Sequence, residues 1–213
     1  MNKDSNFNIF PLFSTPIYES NVGEIDQEEI DLIKNSNGYL LDKNNFYLCP
    51  AGDLVTQLPK LISSIKLHLT KYLNDNLRYN EKVKWKIADI WFVKFPPGTG
   101  TPDFHRHGNS LFSGVVYIDS NDKGSLTFIQ RRVFGLSDMQ FYLPLYEENP
   151  YNILNALTWK FLPKNGDILL FPSYAEHSVG INHSDSDRYS LAFNVVPTGE
   201  IDNNMTTKLS YDL

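Results

Sequence analysis

His105-Arg106-His107 sets two imidazoles two residues apart. On an extended strand such residues point to the same face, so both rings can converge on one ion, and imidazole is a favoured metal ligand at neutral pH. A third histidine, His177, opens a later strand candidate just after Phe171-Pro172-Ser173-Tyr174. In a rolled sheet, strands distant in sequence lie side by side, so His177 is placed to supply a third ligand. Further on comes Arg188-Tyr189-Ser190. On a strand the Arg188 guanidinium and the Ser190 hydroxyl share a face. Arginine holds a carboxylate through two parallel hydrogen bonds and a serine adds a third. Asp103 has the parity of His105 and His107, so it is either a ligand or, more in keeping with Pro102 before it, a partner that orients one of the imidazoles.

Each of these features has a plain alternative. A lone H-x-H is often a surface pair, a lone histidine is often a satisfied structural residue, and Arg188 has Asp185 and Asp187 nearby for an ion pair. The order and spacing of the whole set favour chemistry over these alternatives. Three neutral imidazoles leave the +2 charge of a divalent ion uncompensated, and such a set suits zinc, copper or nickel as well as iron.

The elements that must carry these residues are mostly strands. After Asn80 the hydrophobic period becomes two: Val83, Trp85, Ile87, Asp89, Trp91, Val93 and Phe95 alternate with Lys84, Lys86, Ala88, Ile90, Phe92 and Lys94. This pattern predicts one long strand with a single, mostly apolar face, ended by Pro96-Pro97-Gly98. Further strands are predicted at 111–118, 125–130, 159–162, 167–171, 177–181 and 189–196, with turn signals between them. Upstream, Leu58, Leu61, Ile62, Ile65, Leu69, Tyr72, Leu73 and Leu77 form one helical stripe, which predicts a helix over 53–77 with Pro59 in its first turn. His68 lies in it as an ordinary helix residue. A shorter helix is predicted over 25–34. Helices followed by many short strands predict a mainly β sandwich or barrel with N-terminal helices packed on one side. The chain reads as one domain of 213 residues. It divides into a mixed helical entry segment (1–80), a β core (81–197) with a long aromatic-rich loop at 131–158, and a tail (198–213).

Composition narrows the functional classes. The sequence is 41% hydrophobic and 14% aromatic, which is globular, and its formal net charge is -6. Such a chain has no global attraction for phosphate backbones or anionic lipid, so nucleic-acid binding is not expected. One cysteine, Cys49, allows no intrachain disulfide and fits a reducing compartment. The N-terminus is polar with no signal-like apolar region, and the longest apolar runs are too short to span a bilayer. A cytoplasmic protein with no membrane partner is the expectation.

The blocks themselves resemble a known superfamily. His105-Arg106-His107, Ser113-Gly114-Val115-Val116-Tyr117, Gly124-Ser125-Leu126-Thr127-Phe128, Gly166 to Ser173, His177-Ser178-Val179 and Arg188 to Asn194 are similar, in that order, to the 2-oxoglutarate/Fe(II)-dependent dioxygenases. The likeness is greatest to a small oxygenase family of bacteria and phages related to prolyl hydroxylases, whose opening resembles Leu12 to Tyr18. The resemblance implies a double-stranded β-helix, a jelly-roll or cupin-like barrel. It implies Fe(II) on His105, His107 and His177, and 2-oxoglutarate on Arg188 with Ser190 assisting. His107 stands where the superfamily's commonest pattern has a carboxylate. Tyr117 is either a donor to the co-substrate or a packing residue, and Asn194, on the face of Arg188 and Ser190, either lines the site or makes a structural hydrogen bond. The implied reaction is hydroxylation with release of succinate and CO₂, on a substrate either peptidyl or small. Alternatives are a three-histidine cupin-like enzyme that does not use 2-oxoglutarate and a non-catalytic barrel module. A homodimer is compatible with the exposed aromatics of the 131–158 loop.

Overall fold

The final strand of the core shows how the sequence alternation is used. In the computed structural model it runs from Arg188 to Asp202. Tyr189, Leu191, Phe193 and Val195 enter one apolar cluster, and Arg188, Ser190, Ala192 and Asn194 take the opposite face. The structure describes residues 9–120, 124–130, 146–148, 151–202 and 208–211.

In chain order the strands are β1 (Tyr18–Asn21), β2 (Leu40–Leu41), β3 (Tyr47–Pro50), β4 (Lys84–Phe95), β5 (Thr101–His105), β6 (Phe112–Asp119), β7 (Leu126–Ile129), β8 (Thr158–Phe161), β9 (Asp167–Pro172), β10 (His177–Val179), β11 (Arg188–Asp202) and β12 (Lys208–Tyr211). They form two antiparallel sheets. The larger has the order β1-β9-β6-β11-β4-β3-β2, with β12 on the far end of β11, and the smaller has the order β5-β10-β7-β8. This is the mainly β, double-stranded β-helix arrangement expected. Helices α1 (Gln27–Lys34) and α2 (Pro59–Thr70) cover the outer face of the larger sheet. There Ile33, Leu58, Leu61, Ile65, Leu69 and Leu73 pack with Phe92, Val116, Ile168, Leu170, Leu191 and Phe193. Each such side chain contributes roughly 1.5–3 kcal/mol when fully buried. The inner face, turned toward the smaller sheet, carries Tyr117, Leu169 and Phe171 with Leu126 and Phe128 opposite, and Val93 and Phe95 with Phe46.

Several elements differ from the sequence expectation for identifiable reasons. The stripe predicted as one helix over 53–77 is three pieces: a 3₁₀ helix (Gly52–Gln57), α2, and a π-helical segment (Lys71–Asn76). Pro59 forces the break, because the residue before a proline is kept out of helical backbone, and Leu58 sits at φ -117°, ψ 49°. Glu29 of α1 replaces a local cap: its carboxylate accepts the Lys60 and Leu61 N–H groups at 3.0 and 3.2 Å. His68 is indeed a packed helix residue, bonded through Nδ1 to the Tyr18 hydroxyl at 2.8 Å.

The single apolar face predicted for β4 is divided between two faces. Asn194 pairs with Asp89 but Val195 pairs with Ile87, so Ala88 is an extra residue and the alternation reverses there. Trp85 and Ile87 join the outer cluster with Ile90 and Phe92, while Trp91, Val93 and Phe95 face inward. Within the mixed segment 1–80, β1 pairs with β9 and β3 with β4. Within 198–213, β12 pairs with the end of β11. Most of the expected 131–158 loop lies outside the described residues; β8 begins at its last position. No helix among the described residues is long and apolar enough to cross a membrane.

Candidate active site

The three histidines come together at one end of the space between the sheets. His105 ends β5, His177 begins β10, and the two are directly paired across the strands. His107 follows β5, and its backbone N–H donates to the Ser173 carbonyl at 3.0 Å, which ties the ring to the end of β9. The ring centroids are 4.4 Å apart for His105 and His177, 5.2 Å for His107 and His177, and 5.7 Å for His105 and His107. One ligand nitrogen from each lies within 4.8 Å of the other two. Among the described residues this is the sole cluster of three or more potential ligands.

Each ring is held by its other nitrogen. His177 donates Nδ1–H to the Ala175 carbonyl at 2.9 Å, and His105 donates to the Asp103 carbonyl at 3.3 Å. His107 Nδ1 lies 2.8 Å from the Asn194 amide oxygen and 3.1 Å from the Ser113 hydroxyl. A backbone carbonyl oxygen can only accept, so in His105 and His177 Nδ1 carries the proton and the Nε2 lone pair is left for a metal. Burial pushes His177 down to about 3, helped by the neighbouring His105 and His107. Burial also lowers His107, against the raising effect of its Asn194 bond. Both rings are therefore neutral at pH 7, the form that binds cations. On the chemistry of the donor set, three converging imidazoles fit a divalent transition metal.

Arg188 begins β11 on the inner face of the opposite sheet and is 1% exposed, the bulkiest of the most deeply buried side chains. Its guanidinium stacks on the Phe95 ring, 4.5 Å from the centroid. Gly124, at φ +144°, packs so closely on the guanidinium Nη1 that a Cβ there would overlap it. Burial lowers the Arg188 pKa to about 10, offset in part by Tyr117. The group remains a cation at neutral pH in apolar surroundings, which favours an incoming anion. Ser190 is buried on the same face, and its cross-strand partner on β6 is Tyr117. Burial raises the Tyr117 phenol above its ordinary range, so it stays a hydrogen-bond donor.

The residues singled out from sequence thus fall at two stations. His105, His107 and His177 form the first; Arg188, Ser190 and Tyr117 form the second. Asp103 reaches the first station through its backbone carbonyl, and it is not among the clustered ligands. Asn194, read from sequence as lining the site or making a structural hydrogen bond, bonds to His107 and Ser113. Arg106, between the two histidines, points away toward Glu176 at 3.8 Å. Sequence reasoning missed Ser113, Ser173 and Gly124. Their signal is a small residue inside or beside a strand where a large one would pack better.

Residues 89–194 match the family model described as Putative 2OG-Fe(II) oxygenase. No curated protein matches the chain. Three solved structures illustrate its likeness in fold. An oxidoreductase of the 2OG-Fe(II) oxygenase family from Burkholderia pseudomallei is 13% identical, with a TM-score of 0.52 over 78% of this chain and 75% of that one. A prolyl-4-hydroxylase from Pseudomonas putida is 14% identical, with a TM-score of 0.53 over 85% and 93%. The non-heme alpha ketoglutarate dependent epimerase SnoN from nogalamycin biosynthesis is 12% identical, with a TM-score of 0.56 over 85% and 78%. At these identities the likeness establishes the fold.

Proposed function

We propose that this protein, whose residues 89–194 match the putative 2OG-Fe(II) oxygenase family, is a hydroxylase with Fe(II) on His105, His107 and His177 and 2-oxoglutarate anchored by Arg188. The observation that carries this reading is the paired arrangement of a three-imidazole cluster and a buried arginine across the barrel interior.

Bound Fe(II) would supply activation of O₂ coupled to oxidative decarboxylation of 2-oxoglutarate, with succinate and CO₂ released. The protein's own residues do the rest. The three Nε2 atoms would hold the ion, since each Nδ1 faces an oxygen partner of the protein. Arg188 receives the far carboxylate of the keto acid through its two-pronged donor edge, with the Ser190 and Tyr117 hydroxyls as further donors on that face. Phe128, Leu169 and Phe171 exclude water from the space alongside. Charge favours the same pose: three neutral ligands leave a +2 ion, which the near carboxylate of the keto acid would reduce to +1, while its far carboxylate would neutralise Arg188. A three-histidine enzyme that does not use 2-oxoglutarate would have no use for the arginine station.

The test is an anaerobic titration of metal-free protein with Fe(II) and 2-oxoglutarate, followed by visible absorption. A weak charge-transfer band that requires both additions is expected. It should be lost in His177→Ala and in Arg188→Ala, and in air the wild type should form succinate. Binding of Fe(II) with no band and no binding of the keto acid would refute the co-substrate assignment, and retention of normal iron binding by His177→Ala would refute the ligand set.

A further inference from the structure

His107 is the ligand whose orientation depends on side chains. His105 and His177 donate Nδ1–H to backbone carbonyls, which cannot act as donors. His107 faces an asparagine amide, which can present either its oxygen or its NH₂. If the oxygen faces the ring, Nδ1 carries the proton and Nε2 can bind a metal. If the NH₂ faced it, Nδ1 would have to accept, Nε2 would carry the proton, and the ring could not ligate through Nε2.

A chain of hydroxyls stands behind that amide. Ser110 donates to Ser173 at 2.8 Å, Ser173 and Ser113 are 2.8 Å apart, and Ser113 donates to the Asn194 oxygen at 2.9 Å. Ser113 and Ser173 are buried, at 0% and 1% exposure, so these hydroxyls are enclosed by protein. With Ser110 donating, the consistent order of protons is Ser110 to Ser173, Ser173 to Ser113, and Ser113 to Asn194. His107 Nδ1–H then supplies the second hydrogen bond to the same oxygen. The backbone fixes the chain in place: Ser173 N–H donates to the Leu111 carbonyl at 2.9 Å, and Leu111 N–H to the Val195 carbonyl at 3.1 Å.

Resting on the metal assignment above, we propose that Asn194 is a positioning residue that acts through its amide oxygen, held in that orientation by Ser113 and Ser173, to fix His107 in the Nδ1–H tautomer and make it a metal ligand. Asparagine here does what a backbone carbonyl does for the other two rings. The requirement is for an acceptor, so aspartate should replace it and an apolar residue should not.

The metal-free protein is examined by long-range ¹H–¹⁵N NMR of the histidine rings, and Ni(II) binding is measured by calorimetry. Wild type should show His107 with Nδ1 protonated. Asn194→Asp should keep that tautomer and bind Ni(II) at least as tightly. Asn194→Leu should lose the fixed tautomer and bind Ni(II) about 10–100-fold more weakly, the usual effect of removing such a supporting partner. Ser113→Ala should lie between the two. Ni(II) affinity in Asn194→Leu within twofold of wild type, with the tautomer unchanged, would overturn the proposal. So would a loss in Asn194→Asp as large as the loss in Asn194→Leu. If Asn194→Leu does not fold, the comparison of Asn194→Asp with wild type decides, since a donor role for the amide predicts loss and an acceptor role predicts retention. His177→Ala separates the two readings. If wild type fails to bind Ni(II), or His177→Ala binds it normally, the metal assignment itself has failed. Loss in His177→Ala beside full retention in Asn194→Leu refutes the positioning role alone.

Discussion

Replacing Arg188 by methionine should stabilise the metal-free protein while removing its affinity for 2-oxoglutarate. The guanidinium is 1% exposed, and burial lowers its pKa from its ordinary value to about 10. The gap corresponds to about 3 kcal/mol by which the folded state disfavours the cation. The sign follows from proton counting. Between about 10 and the ordinary arginine value the unfolded chain holds a proton that the folded chain has released, so stability rises with pH across that window. At neutral pH the whole cost is present. Methionine keeps an unbranched apolar stem and removes the charge. It also removes the stacking on Phe95, worth roughly 0.5–2 kcal/mol, and the polar contacts of the guanidinium. The balance is a gain of about 1 kcal/mol, or roughly 2–4 °C in Tm for a chain of this length. Loss of two charge-assisted hydrogen bonds, at about 1.5–3 kcal/mol each, should weaken 2-oxoglutarate on the order of 10²–10³-fold or more. Thermal unfolding of metal-free protein and anaerobic calorimetry of 2-oxoglutarate with the Ni(II)-loaded protein read the two effects separately. A variant destabilised by more than about 2 kcal/mol that still binds the keto acid normally would show Arg188 to be a structural residue and refute the reasoning.

Gly124→Ala should act on the same station from outside it. The new methyl would overlap the Arg188 Nη1 at a backbone position of φ +144°, so displacement of the guanidinium should weaken 2-oxoglutarate roughly 10–100-fold by calorimetry while Ni(II) binding is unchanged. Gly114→Ala would drive a methyl into the Phe193 ring and Leu170 on the helix-covered face, and denaturant unfolding should show a loss of about 1–3 kcal/mol. Glu29→Ala leaves the Lys60 and Leu61 N–H groups at the start of α2 without their acceptor; a loss of about 1–3 kcal/mol is expected, with the metal site unaffected.

The sequence by itself determined the residue types and their order. The spacing His105-x-His107, then His177, then Arg188-x-Ser190 named the groups that the structure brings to its two stations, because strand parity is a local property with a fixed period of two. The apolar stripe of α2 and the position of Pro59 were legible for the same reason. Tertiary structure decided what depends on contacts between distant segments. The extra residue at Ala88 turns Trp85 and Ile87 to the opposite face from Trp91 and Val93; the apolar Ile90 and Phe92 mark a second covered face in the sequence, but the place of the reversal is set by the pairing with β11. The role of Asn194 was equally hidden. Its parity with Arg188 and Ser190 correctly gave its face, but it takes the crossing of β11 with the ends of β5, β6 and β9 to set His107, Ser113 and Ser173 around it. Which side chain shares a face follows from the chain; which atom meets it there follows from packing.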